Sequence, residues 1–445
     1  MSRETKDSGI NWIGEIPSNW NIVKIKYLQD ITQENSFVDG DWIESPYITN
    51  DGIRYLTSGN VGDGVFKRQG DGYISNATFE ELKCKYAYPN DLVISRLNAP
   101  YGRACILPED EEKYVLAVDN VILRTEHNKK FLCYVMQCNG YHMSVEEKSA
   151  GTAMKRISRT NLGNIKLPVA PLEEQEEIVD FLDAKCEVID QAIQKQKDIV
   201  NKLKEYKQSV ITHTVTKGFE CNAEMKNTSI SGLAQIPKSW DVIPLKTLFS
   251  FSKGLSITKS DLTDEGIKVI SYGQIHSKNC DGVHVTDELI RFTADEFKSN
   301  NSLAKCGGFI FADTSEDLEG CGNAIYITDE VYGGYHTVVL NPKEEHDYRY
   351  LAYLFKTDAW RTELRKQLTE VKVFSITQFA LKNMHVILPS YEEMVQIADF
   401  LDSKCSKINE SIERSNKVIQ KLEEYKKSLI YNAVTGKIDC RGEVR

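Results

Sequence analysis

Residues 180–186 read DFLDAKC, and residues 399–405 read DFLDSKC. A chain that writes one segment twice is built as two copies of one design, and this governs everything it can fold into. The repeat extends well beyond the heptapeptide. IPSNWNIVKIKYL at 16–28 matches IPKSWDVIPLKTL at 236–248, and residues 171–221 align without gaps on 390–440 with 21 identities in 51 positions. Phe181 falls on Phe400, Tyr206 on Tyr425 and Cys221 on Cys440. A period of about 220 residues is too long for a solenoid and reads as a duplicated domain pair. Identity is concentrated at the ends of each copy. The middles, 30–160 and 250–380, have diverged, leaving only echoes such as GIRYLTSGNV (52–61) against GIKVISYGQI (266–275). The ends are a shared frame; the middles are two different inserts in one architectural slot.

The frame is helical. Leu182, Ile189, Gln196, Leu203 and Val210 recur every seven residues, with Cys186, Ile193, Val200 and Lys207 as a second row. In the second copy Leu401, Ile408, Ser415, Leu422 and Leu429 match the first row, and Cys405, Ile412, Ile419 and Lys426 the other. This is a coiled-coil seam of about four heptads. A helix of about 37 residues would be about 55 Å long, and two of them in one chain pair most simply with each other, antiparallel. Cys186 and Cys405 then act as small seam hydrophobes. Gln196 and Ser415 are either tolerated polar seam positions or a register lock. The inserts carry short β-like runs (RYLTS, DLVIS, KVISY) between Gly, Asn and Asp, with more helical pieces at 129–148 and 347–369. The fold class is therefore α+β: two mixed α/β domains in tandem, each followed by a long helix, a duplicated chain of pseudo-two-fold design.

Composition narrows the function. The 445 residues carry 55 Lys and Arg against 65 Asp and Glu, a formal charge of −10. Unaided nucleic-acid binders are usually basic, so any DNA-binding reading must account for that sign. The apolar runs are too short for a membrane span, and MSRETKDSGINW has no apolar signal core. Eleven scattered cysteines without a CxxC pair fit reduced thiols in a cytosol. There is no GxxxxGK[ST] loop, no Asn-Pro-Pro-aromatic methyltransferase motif, no convincing AdoMet loop and no zinc spacing among the eight histidines. Asp91, Glu111 and Lys113 could imitate a nuclease acid–acid–lysine trio. The second copy has Gly307 and Gly308 near the position of Asp91 and no matching trio, so the trio reads as chance, and no catalytic or metal-binding residue is assigned.

Binding candidates gather in the loops of the inserts. In the first they are Ser58, Asn60, Lys67, Arg68, Arg96, Asn98, Arg103, Lys155, Arg156 and Arg159. In the second they are Tyr272, Gln274, His276, Lys278, Thr314, Ser315, Arg365, Lys366 and Lys372. Lys and Arg contact phosphates or read guanine, and Asn and Gln read adenine.

The pattern resembles the specificity subunits of Type I restriction–modification systems. SGINWIGEIPSNW with its copy SISGLAQIPKSW, PLEEQEEIVDFLDAKCEVID with SYEEMVQIADFLDSKCSKIN, and KLKEYKQSVITHTVTKG with KLEEYKKSLIYNAVTGK carry the resemblance over essentially the whole chain. The second copy departs at SYEEM, which lacks the Pro and Gln of the first. The resemblance implies target-recognition domains at 1–168 and 222–387, with spacer helices at 169–221 and 388–445. It implies a bipartite, asymmetric, gapped target in double-stranded DNA. It also implies two methyltransferase subunits as partners, with a motor-nuclease subunit where one exists. No cofactor is expected on this chain: AdoMet belongs to the methyltransferase, ATP and Mg to the motor-nuclease. Two rivals are a metal-dependent nuclease using Asp91–Lys113 and a protein scaffold whose inserts ignore DNA.

Overall fold

The structure, a computed structural model, describes residues 3–442 except 71, 153, 220–222, 229, 231, 319 and 371–373. Lys372 and Cys221 lie outside the described residues. The chain forms two compact units, Met1–Lys197 with Lys417–Arg445, and Asp198–Asn416. The unit boundaries cut both long helices near their midpoints, so each unit owns half of each helix.

The helices run from Leu172 to Lys217 and from Tyr391 to Val434, 46 and 44 residues. At 1.5 Å per residue they are about 69 and 66 Å long, longer than the heptad seam alone implied. They start roughly ten residues before the seam, just after Pro171 and Ser390. Glu173–Glu174 and Glu392–Glu393 fill their first turns and complement the helix dipole. At the C-terminal ends, Gly218 and Gly436 both take left-handed φ, +70° each, where a β-carbon is strained. A side chain at Gly436 would also place Cβ 2.3 Å from Pro17 Cδ.

The heptad rows are the buried rows. In the first unit Leu182, Cys186, Ile189 and Ile193 share one core with Leu429 and Ile430, with Leu422 packed against it. In the second, Leu401 and Cys405 share a core with Ile211, and Val210 packs on it. Ile408 is buried, and Leu203 and Ile412 are half-buried. Two polar contacts give the register: Lys426 Nζ donates to Asp190 at 2.7 Å within the first unit, and Lys207 Nζ to Asn409 Oδ1 at 2.8 Å within the second. Moving 17 residues forward on the first helix (207 − 190) moves 17 backward on the second (426 − 409), so the helices are antiparallel. Shifted by the 219-residue offset of the repeat, the two contacts are the same contact made twice.

Each insert has the same sheet plan. In the first unit, strands order as Phe37–Asp39, Asn120–Leu123, Leu92–Ser95, Ala104–Ile106. In the second the order is Phe249–Lys253, Thr337–Pro342, Phe309–Ala312, Ala324–Tyr326. The other main sheet has the parallel pairs Tyr114–Leu116 with Ile53–Leu56, and Val331–Gly333 with Ile267–Ile270. A two-stranded ribbon closes each insert, Lys166–Val169 on Asn21–Lys24 and His385–Leu388 on Asp241–Pro244.

The insert is joined to its helix by a repeated device. Buried Trp20 meets Phe131 edge-on at 6.1 Å, and Trp240 meets Tyr350 at 6.2 Å. Tyr134 Oη donates to Asp183 at 2.7 Å, and Tyr353 Oη to Asp402 at 2.5 Å. A cation completes each joint, Lys130 on Asp183 and Arg349 on Asp402. These pairs fix the insert to the helix. Among the described residues, no helix is long and apolar enough to cross a membrane.

Candidate nucleic-acid interface

In the first unit, three loops meet: 57–70, 96–103 and 149–159. The first begins with a capping box. Thr57 caps the short helical turn Ser58–Asn60, and Asn60 Oδ1 accepts from the Thr57 amide at 2.9 Å. Asn60 Nδ2 donates to the carbonyls of Lys67 and Gln69. Asn60 is buried and spends its amide on shaping the loop rather than facing outward.

Arg96 and Arg103 are also internal. Arg103 donates to the carbonyls of Val61, Leu97, Asn98 and Ser58 at 2.5–3.0 Å, tying the first loop to the second. Arg96 donates to Ile157 and Val118 and pairs with Asp39, tying the second to the third. Burial pushes both guanidinium pKa values below the usual one. The fastening leaves Asn98 outward in left-handed conformation, φ +63°. Of the remaining basic candidates, Arg68 pairs with Asp110, Lys155 with Glu146, Arg156 with Asp119 and Arg159 with Asp39. Lys67 is exposed. The outward set is therefore Ser58, Lys67, Arg68, Asn98, Lys155, Arg156 and Arg159, with ion pairs that exchange for phosphate at modest cost.

The second unit builds the equivalent loops with other side chains. Gln274 Oε1 accepts from the Ser271 amide at 3.1 Å at the start of the turn Tyr272–Ile275, as Asn60 Oδ1 does from Thr57. Here a histidine stands at the centre of the fastening, with an arginine behind it. His276 Nε2 bonds the Thr314 carbonyl at 2.9 Å, Asn323 Nδ2 bonds His276 Nδ1 at 3.2 Å, and Arg361 donates to Asn323 Oδ1 at 2.6 Å. One tautomer satisfies the chain: the imidazole donates from Nε2 and accepts at Nδ1. Tyr272 stands among His336, Tyr335 and His276, with ring centroids 5.3, 5.5 and 5.9 Å away. The rings meet edge to face, at interplanar angles of 76°, 69° and 81°. Beside them, Tyr272, His276, Ser315, Glu316 and Asp317 line a hollow of about 500 Å³. Ser315 is buried in a short strand, Lys278 is exposed, and Lys366 lies 3.8 Å from Glu363. Arg365 is half-buried on Asp358–Arg365, away from the Tyr272 loop in sequence.

The sequence reading missed Tyr335 and His336. Their signal was the GGYH turn: a β-carbon on Gly334 would lie 2.0 Å from Ser271 Oγ, so the glycine lets the turn lie against the Tyr272 loop. The nuclease rival loses its acid, because Asp91 is buried in an ion pair with Arg124 at 2.9 Å. No cluster of metal ligands occurs among the described residues.

Two copies of one scaffold with different residues on equivalent loops define a class of protein that reads two different things with one design. The chain belongs to the family described as Type I restriction modification DNA specificity domain, which matches residues 17–205 and 237–421. It is 24% identical over 447 residues to the putative type I restriction enzyme MjaX specificity subunit of Methanocaldococcus jannaschii, covering 96% of this chain and 95% of that one. It is 21% identical over 452 residues to the EcoBI specificity subunit of Escherichia coli, covering 95% and 88%. Among solved structures it resembles the HsdS subunit from Thermoanaerobacter tengcongensis, with a TM-score of 0.51 and 14% identity over 95% of this chain and 98% of that one. It also resembles a chain from a structural study of complex assembly and conformational transition of the type I R-M system, with a TM-score of 0.71 and 13% identity over 95% and 99%. At such identities the structural likeness speaks to the fold.

Proposed function

We propose that this chain is the DNA-specificity subunit of a Type I restriction–modification complex, each unit reading one half of a bipartite, gapped target. One observation carries the reading: the equivalent loops, 58–60 against 272–274 and 96–103 against 313–323, hang on one sheet plan yet present the Ser58 hydroxyl and the Asn98 amide in one unit and the Tyr272 ring with the Glu316 and Asp317 carboxylates in the other. Different donors and acceptors select different base edges. The long helices act as the spacer and as the docking surface for two methyltransferase subunits, which bind AdoMet and extrude the adenine to be methylated. A motor-nuclease subunit, where present, adds ATP-dependent cleavage. The partners supply phosphate contacts that a chain of charge −10 does not supply alone.

The test is to co-express the chain with its cognate methyltransferase subunit and map methylated adenines. The expected result is a gapped motif that depends on this chain, whose halves change separately when residues 30–160 or 250–380 are exchanged. A complex that forms without any motif would sink the reading.

A further inference from the structure

One pair of equivalent loops differs in length as well as in chemistry. Between the strands Leu92–Ser95 and Ala104–Ile106 the loop has eight residues, 96–103; between Phe309–Ala312 and Ala324–Tyr326 its counterpart has eleven, 313–323. The shorter loop reads RLNAPYGR and carries no acid, while the longer reads DTSEDLEGCGN and carries no Lys or Arg. The longer loop walls the hollow beside the turn Tyr272–Ile275. Gly320 lets it turn back: a β-carbon there would lie 2.6 Å from Ser315 Oγ and 3.1 Å from His276 Nδ1.

The two carboxylates of the hollow have different work. Asp317 Oδ1 accepts from the Gly320 amide at 2.6 Å and from Ser315 Oγ at 3.4 Å, so Asp317 shapes the loop. Glu316 is exposed and makes no hydrogen bond or ion pair among the described residues. Among those residues, no lysine or arginine lines the hollow. His276 brings no charge to it either. Arg361 holds Asn323 Oδ1, so Asn323 Nδ2 is the donor to His276 Nδ1, and His276 Nε2 donates to the Thr314 carbonyl. An imidazole that donates from one nitrogen and accepts at the other is neutral.

A carboxylate with no cation beside it repels phosphate and can only accept hydrogen bonds. In the major groove the four bases answer such a group unequally. Guanine offers two acceptors, N7 and O6, and thymine an acceptor and a methyl group. Adenine offers an acceptor next to its amino group. Cytosine offers an amino donor at N4 and no acceptor.

We infer that Glu316 is a specificity-determining residue of the second unit, accepting a hydrogen bond from the N4 amino group of a cytosine in the second half-site. The inference rests on the DNA-reading function proposed above and names one base of the target. The shorter loop of the first unit turns out Asn98 instead, whose amide both donates and accepts, so the first half-site carries no such demand at this loop.

The test uses the chain assembled with its methyltransferase subunit and selects bound sequences from randomised duplexes. Exchange of residues 250–380 identifies the second half-site, and the wild type should require a G·C pair there. Glu316 has no internal partner, so the unfolding midpoints of Glu316→Ala and Glu316→Gln should match the wild type. Glu316→Ala should weaken the preference for cytosine at one position about tenfold. Glu316→Gln should move that position towards adenine, which a Gln amide contacts through N6 and N7. Neither variant should alter the first half-site. A second half-site without a G·C pair overturns the inference, as does a cytosine preference that both variants leave intact. A change in both half-sites alike overturns it too, because a base contact acts on one half. In each of these outcomes the gapped motif remains and the functional reading stands. A wild-type complex that selects no motif removes that reading, and the inference with it.

Discussion

At the scale of single residues, the positively charged side chains that most resemble DNA contacts are divided between two jobs. Arg103 holds four backbone carbonyls and meets no solvent-facing partner. Arg103→Met should cost about 2–4 kcal/mol by leaving buried carbonyls unpaired, read as a lowered unfolding midpoint. It should also loosen base preference in the first half-site only, read by selection from randomised duplexes. His284 supplies a pH test. Its hydrogen bond to Asp281 is the main cause that raises its pKa, with Asp402 adding to it. A raised folded-state pKa means the contribution is fully present below about 6.5, the unfolded value, and is lost as pH rises through the higher folded value. Stability of the second unit should therefore fall across that window, and His284→Asn should flatten the profile. This scale was the least legible in the sequence. An Arg or Asn in a glycine-rich loop looks the same whether it caps carbonyls or faces water. Asn60 and Gln274 were the exception in principle, since Thr57…Asn60 and Ser271…Gln274 have capping-box spacing.

At the scale of elements, the two long helices were legible because a heptad row leaves a strict period, and Leu182, Ile189, Leu401 and Ile408 are buried where that period places them. Their true length was not. The first turns after Pro171 and Ser390 obey dipole and joint chemistry, not the seam, so they leave no heptad mark. The joints are equally invisible from one copy alone: Tyr134 and Asp183 are 49 residues apart, and only the repeat, with Tyr353 and Asp402, shows them as a pair. Gly436→Ala should destabilise the first unit by about 1–3 kcal/mol from left-handed strain, with a further cost from the Pro17 contact, measured by chemical denaturation. If the helices set the gap of the target, adding one heptad to each near residues 197 and 416 should widen it. A heptad is about 10.5 Å, or about three base pairs, and the change would be read in the methylated motif.

At the scale of the whole molecule, duplication followed by divergence lets one chain treat two half-sites differently without changing its frame. The sheets, the Trp20–Phe131 and Trp240–Tyr350 contacts and the lysine contacts on the helices repeat, while loop chemistry does not. The frame was readable because both copies must bury the same surfaces. The loops were not, because each copy closes them with different side chains.

The division into units also imposes an order on synthesis. The second unit is one continuous stretch, but the first is closed by Lys417–Arg445, with Lys437 Nζ donating to the Ile13 carbonyl and Tyr431 Oη to that of Trp12. A ribosome that has finished residue 197 must add 219 more (416 − 197) before the closing segment begins. At about 5–20 residues per second, that is a wait of about 11–44 s. During this time Ile189 and Ile193 lack Leu429 and Ile430 to cover them. The first-made half of the protein is thus the last to be completed, and in the interval it is a natural client for chaperones that hold exposed apolar helices.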